Sequence, residues 1–137
     1  MSYIKTEERI IETETVTTTF KALEDWKGNC FESSSYKTKE FLAFARMFRS
    51  YVVKEAAKNG LGLENWSNGH FYCSAFFKNS GTGKYVYLSI SDVRHFSDSW
   101  YDDILVRTAE HPKDYTGGRN QSASLKNIGM MLKKLTE

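Results

Sequence analysis

The clearest hydrophobic pattern in the chain is a helical stripe in its first half. Apolar residues recur there at spacings of three and four, and they are Phe41, Phe44, Ala45, Phe48, Val52 and Ala56. This spacing puts them on one face of an amphipathic helix. Thr38 is a good N-cap and Gly60 is a suitable left-handed stop. The pattern therefore predicts a helix over about residues 39–59.

The opposite side of this helix is basic and carries Lys39, Arg46, Arg49 and Lys54. Such a row is either a solvated face or a surface that contacts phosphates or an acidic partner.

After the helix, the side chains that face opposite ways alternate with a period of two, which predicts strands. Residues 61–66 form a short strand candidate before an Asn-Gly turn signal, and residues 71–77 and 85–90 alternate around a glycine-rich connection. In the predicted hairpin, Cys73, Ala75 and Phe77 share one face. The other face, which carries Tyr87, would be an open platform.

The remaining elements complete an α+β fold. Residues 104–108 read as a further strand, and Ser122 would cap a last helix with apolar spacing through Leu135. Residues 1–20 alternate polar and β-branched side chains, which predicts an edge strand or an arm that pairs with a second subunit. We therefore expect one domain over residues 1–137, with an antiparallel sheet of about four or five strands packed on one long helix, plus a C-terminal helix.

Composition argues against several classes of protein, among them dedicated DNA-binding domains. The 137 residues carry a formal net charge of +2, far from a strongly basic DNA-binding domain. Two cysteines, Cys30 and Cys73, cannot form a disulfide framework and fit a reducing cytoplasm. No apolar run is long enough to span a membrane. The aromatic share of 15% is high, and aromatic rings stack on planar ligands as well as filling cores.

Motifs for catalysis, metals and cofactors are weak. The run from Gly81 to Lys84 lacks the first glycine of a phosphate loop, and Tyr85 stands where that motif needs Ser or Thr. His70 and Cys73 have ligand-like spacing, but a zinc site needs about four ligands. We therefore predict no catalytic residue, no metal and no cofactor.

The segment from Arg107 to Asn120 gathers the parts of a nucleotide pocket. Arginine forks bind phosphates, and paired glycines let backbone N–H groups approach an anion. Rings stack on bases, while carboxylate and amide groups bind ribose and base edges. The predicted ligand-binding residues are Arg94, Arg107, Asp114, Tyr115, Gly117, Gly118, Asn120 and Tyr87. The alternative is a turn that satisfies its own backbone, with Arg107 paired to Asp102 or Asp114.

Three runs of the sequence resemble those of a known protein family. Residues 83–94, 104–109 and 113–120 read GKYVYLSISDVR, ILVRTA and KDYTGGRN. In these runs the chain resembles a family of small accessory proteins from phages, prophages and conjugative elements, and the likeness covers about residues 30–135. The resemblance implies a protein of the host cell cytoplasm that counters host defence, and it assigns no residue a role.

Together these observations predict a non-enzymatic protein that binds and sequesters a nucleotide-derived immune signal, as a homodimer. One alternative is an inhibitor that binds a host defence protein through the same aromatic and arginine side chains. Another is a single-stranded nucleic-acid-binding protein. Turnover of a cyclic nucleotide would instead indicate an enzyme.

Overall fold

The computed structural model describes residues 39–69, 72–90 and 104–137. In chain order these residues form α1 (Lys39–Lys58), β1 (Leu61–Asn68), β2 (Cys73–Asn79), β3 (Tyr85–Ile90), β4 (Ile104–Ala109), β5 (Gln121–Ala123) and α2 (Ile128–Leu135). The predicted arm over residues 1–20, together with Cys30 and Arg94, lies outside the described residues.

The five strands form one antiparallel sheet in the order β1-β2-β3-β4-β5. Both helices pack on the same face of this sheet, because a single core contains side chains of α1, α2 and the inner sheet face. The architecture is therefore α+β, with a five-stranded sheet, one long helix and a C-terminal helix, as the sequence predicts.

The predicted faces of α1 and of the β2–β3 hairpin are confirmed. All six residues of the α1 stripe are buried in the core. Cys73, Ala75 and Phe77 join them from β2, and the alternate residues of β3 do so from the next strand. Asn79 N donates to Lys84 O at 2.9 Å, which closes a hairpin where a phosphate loop would need a helix.

A bulge in β1 changes the direction of its side chains. The pairing of β1 with β2 shifts register between Leu63 and Asn65, so Glu64 is the extra residue. The shift turns Trp66 toward the helices, where its ring lies 5.9 Å from that of Phe48. A bulge inverts the faces of the residues that follow it, and the strand pattern alone did not predict this.

The predicted start of the last helix is wrong. Ser122 lies in β5, where it pairs with Leu105, and α2 begins only at Ile128. The turn between them is held by Ser124 N, which donates to Asn127 Oδ1 at 2.9 Å. Hydrogen bonds to β4 therefore override the helical spacing of the apolar residues around Ser122.

The β2–β3 hairpin also holds the end of α2. The buried Asn79 donates from Nδ2 to Thr136 Oγ1 at 3.1 Å, and its Oδ1 accepts from Gly81 N at 2.9 Å. Thr82 Oγ1 donates to Thr136 O at 2.6 Å. One buried amide thus orders the hairpin loop and docks the last turn of α2 on it.

Candidate functional site

A row of four residues crosses the sheet on the face away from the helices. Asn65 pairs with Phe76, Phe76 with Tyr87, and Tyr87 with Arg107, on four successive strands. Phe76 and Tyr87 lie with ring centroids 4.9 Å apart. The register of the sheet therefore builds an amide, two aromatic rings and a guanidinium into one continuous line.

The connection from β4 to β5, which we call the roof loop (residues 110–120), lies across this row. Asn65 Nδ2 donates to Pro112 O at 3.2 Å, so the loop extends from β4 as far as β1. Tyr115 meets Phe76 edge-on at 5.1 Å and Tyr87 at 6.0 Å. Phe76 is only 1% exposed as a result. The open platform predicted for this face is instead covered.

Asp114 orders the roof loop from within. One carboxylate oxygen accepts from Glu110 N at 2.9 Å, and the other accepts from Thr116 N at 3.2 Å and Gly117 N at 2.8 Å. The bond from Glu110 N is the largest cause of a lowered Asp114 pKa, so the side chain is ionised at neutral pH. These N–H groups, which could have bound a ligand anion, already bind the anion of Asp114.

Arg107 fixes the loop from the strand below. Its side chain is buried, with 5% exposed, and Nη1 donates to Asp114 O at 3.1 Å and to Gly117 O at 2.6 Å. Its guanidinium carbon lies 4.2 Å from the ring centroid of Tyr87. Arg107 is therefore paired with Asp114, as the alternative interpretation allowed, but with its main-chain carbonyl.

The two glycines are explained by packing inside the loop. Gly118 has φ +78°, and a Cβ there would meet the carbonyl oxygen of Thr108 on β4. A Cβ at Gly117 would meet the Asp114 carboxylate. Glycine is thus needed at both positions because the loop lies directly on the strand and on its own capping side chain.

Several polar groups and one ring of the roof loop face solvent. Tyr115 is 54% exposed although its ring makes T-shaped contacts with two buried or half-buried rings. Thr116, Arg119 and Asn120 are also exposed. These side chains, unlike Arg107 and Asp114, are available to a ligand or a partner.

Contacts join five of the eight predicted site residues, which are Tyr87, Arg107, Asp114, Tyr115 and Gly117. Gly118 and Asn120 lie in the same loop, while Arg94 lies outside the described part. The structure also adds two residues that sequence reasoning missed. Phe76 could have been found, since alternation puts it on the same face as Tyr87. Asn65 could not, because its position in the row depends on the bulge and on sheet register.

Other features of the described residues bear on chemistry. Burial raises the pKa of the Cys73 thiol to about 12, so it is a poor nucleophile. In the described ranges, no group of three or more His, Cys, Asp or Glu side chains could hold a metal ion. A surface depression of about 300 Å³ includes Lys84, Tyr85 and Glu110 in its lining, but none of the predicted site residues. Neither described helix is long and apolar enough to cross a membrane.

These observations define the class of the described region. It is an α+β domain whose outer sheet face is covered by an ordered loop, and that loop presents a supported tyrosine to solvent. Comparison with family models, with curated proteins and with solved structures finds no match in any of the three.

Proposed function

We propose that the chain is a non-enzymatic binding protein of a mobile genetic element that captures a nucleotide-derived immune signal in the host cytoplasm. The observation that carries the proposal is the exposed ring of Tyr115, held by Phe76 and Tyr87. A ring fixed before binding loses little conformational entropy when a planar base stacks on it. The mobile-element setting rests on the sequence resemblance.

Under this proposal the predicted residues have different roles. Arg107, Asp114, Gly117 and Gly118 shape the loop from below. Tyr115 would stack on the base, and exposed Asn120 would hydrogen-bond its edge. Arg119, which is also exposed, would supply the charge for a phosphate in place of the buried Arg107.

Mass spectrometry of the small molecules that the protein retains tests this proposal. The purified chain is incubated with lysates that contain cyclic oligonucleotides or cyclic ADP-ribose isomers, and is then repurified and denatured by heat. We expect intact signal from the wild type and from Met130→Ala, an exposed apolar control on α2. We expect Tyr115→Ala to bind the signal about 5- to 160-fold more weakly and to retain correspondingly less of it, from the loss of about 1–3 kcal/mol of stacking. A cleaved product would indicate an enzyme, and no retained signal would reject capture.

A second candidate is an inhibitor that binds a host defence protein. The observation that favours it is the composition of the exposed loop surface, where Tyr115 and Arg119 are residue types that dominate binding hot spots. If no small molecule is retained, affinity capture with the wild type and with Tyr115→Ala should show a host protein that only the wild type binds.

The homodimer remains a prediction, since its proposed pairing arm lies outside the described residues. Sedimentation equilibrium of the full chain and of a chain lacking residues 1–20 tests it. A dimer that persists without the arm would contradict that role.

A further inference from the structure

The two helices carry a charge excess that the rest of the chain lacks. Of the 19 basic and 17 acidic residues in the chain, seven basic and two acidic residues lie within α1 and α2. The remainder of the chain is therefore net acidic. The described residues outside the helices carry six basic and four acidic side chains, so the helices, with an excess of five basic residues, are the most basic part of the described structure.

The basic side chains of the helices point away from the sheet. Arg46, Arg49 and Lys54 are exposed on α1, and Lys133 and Lys134 are exposed on α2. Residues 46 and 54 are two helical turns apart, or about 12 Å along the axis. Because α1 and α2 pack side by side on one sheet face, their cations share one outer surface.

Among the side chains of the two helices that the structure describes, one carboxylate opposes the positive charge. Glu55 is bonded to Lys58 at 3.2 Å, and both lie at the C-terminal end of α1. The exposed large apolar side chains of the described helices are Leu42 and Met130, neither of which is aromatic. The half-buried ring of Trp66 lies under Arg49, whose guanidinium carbon is 5.7 Å from the ring centroid. A polyanion would therefore find cations here, while the described helices themselves expose no aromatic ring.

We propose that this helical layer binds the phosphate backbone of duplex nucleic acid. Lys and Arg bind phosphates without reading sequence, and each contact releases counterions. The surface lies on the opposite side of the sheet from the roof loop, so it is separate from the proposed ligand site. Lack of exposed aromatic side chains on the helices favours a duplex over a single strand.

Fluorescence anisotropy with a labelled DNA duplex of about 20 base pairs tests the proposal. If all five exposed cations contact phosphates, the logarithm of the binding constant should fall linearly with the logarithm of the salt concentration, with a slope of about −4.5. The variant Arg46→Gln/Lys54→Gln should reduce this slope by about 1.8, the contribution of two contacts. Lys78→Gln/Lys113→Gln removes the same charge from β2 and the roof loop, outside the helical layer, and should leave the slope unchanged. Circular dichroism confirms that each variant is folded.

Several outcomes would overturn the proposal. One is no binding to the duplex at about 20 mM salt, where contacts with phosphates are strongest. Another is an equal loss of affinity in Arg46→Gln/Lys54→Gln and in Lys78→Gln/Lys113→Gln. Tighter binding of poly-aspartate than of the duplex would indicate an acidic protein partner. Binding that Tyr115→Ala removes and Arg46→Gln/Lys54→Gln does not would assign nucleic acid to the roof loop.

Discussion

Replacement of Arg107 by methionine should destabilise the protein by an amount that follows from its contacts. Methionine keeps an unbranched apolar side chain over Tyr87 but removes the two hydrogen bonds to Asp114 O and Gly117 O. Hydrogen bonds from a charged donor contribute about 1.5–3 kcal/mol each. The lost cation–π contact adds about 0.5–2 kcal/mol. Because the variant no longer buries a charge, part of this loss is offset, and we expect a net cost of about 2–4 kcal/mol.

Urea unfolding followed by tryptophan fluorescence measures this cost. The matched control is Arg119→Met, an exposed arginine of the same loop, whose free energy of unfolding should stay within about 0.5 kcal/mol of the wild type. Equal stabilities for the two variants would refute the reasoning, because Arg107 would then not hold the roof loop. Hydrogen exchange adds a local readout. The Thr116 and Gly117 amides should exchange faster in Arg107→Met, while β2 amides should change less.

Three further predictions concern the loop and the core. The folded-state pKa of Asp114 lies below its unfolded value of about 3.9, so its stabilisation is complete above that value and is lost as pH falls through the folded-state pKa. The free energy of unfolding of Asp114→Asn should therefore depend less on pH below about 4 than that of the wild type. Parallel curves of this free energy against pH would contradict the reasoning. Gly118→Ala should cost more than Gly83→Ala, since φ is positive at both but only Gly118 packs on β4. An Ala with left-handed backbone angles costs about 1–2 kcal/mol, and this is the cost that we expect for Gly83→Ala. Equal costs for the two variants would show that a Cβ at Gly118 does not clash with β4. In a Cys30→Ser chain, Cys73 should react with a thiol reagent at about pH 8 only after unfolding, because burial raises its pKa to about 12. Rapid labelling of the folded chain would show that the thiol is accessible.

Hydrophobic periodicity predicted the buried faces of the helix and the hairpin, which depend only on the spacing of residues within one element. The stripe from Phe41 to Ala56 gave α1 to within one residue of its end, and alternation gave the inner face of the β2–β3 hairpin. Periodicity succeeds here because each side chain needs only its own element to reach the core. The same reasoning failed at Ser122, where helical spacing competed with pairing to β4.

The sequence predicted which residues form the candidate site but not how they are arranged. The sequence identified Arg107, Asp114 and Tyr115 as a group, because charged and aromatic residues lie close together around two glycines. It could not show that Arg107 and Asp114 would bind the loop itself. The loop also reaches β1, where Asn65, 47 residues before Pro112, donates to it, and no local pattern links the two.

The roof loop divides its residues between those that hold its shape and those that meet solvent. Arg107 and Asp114 are buried and bonded, whereas Thr116, Arg119 and Asn120 are exposed. Exposed positions change with little effect on stability. The loop therefore has the property of a display scaffold, in which a library randomised at 119 and 120 would vary recognition while the domain keeps its fold.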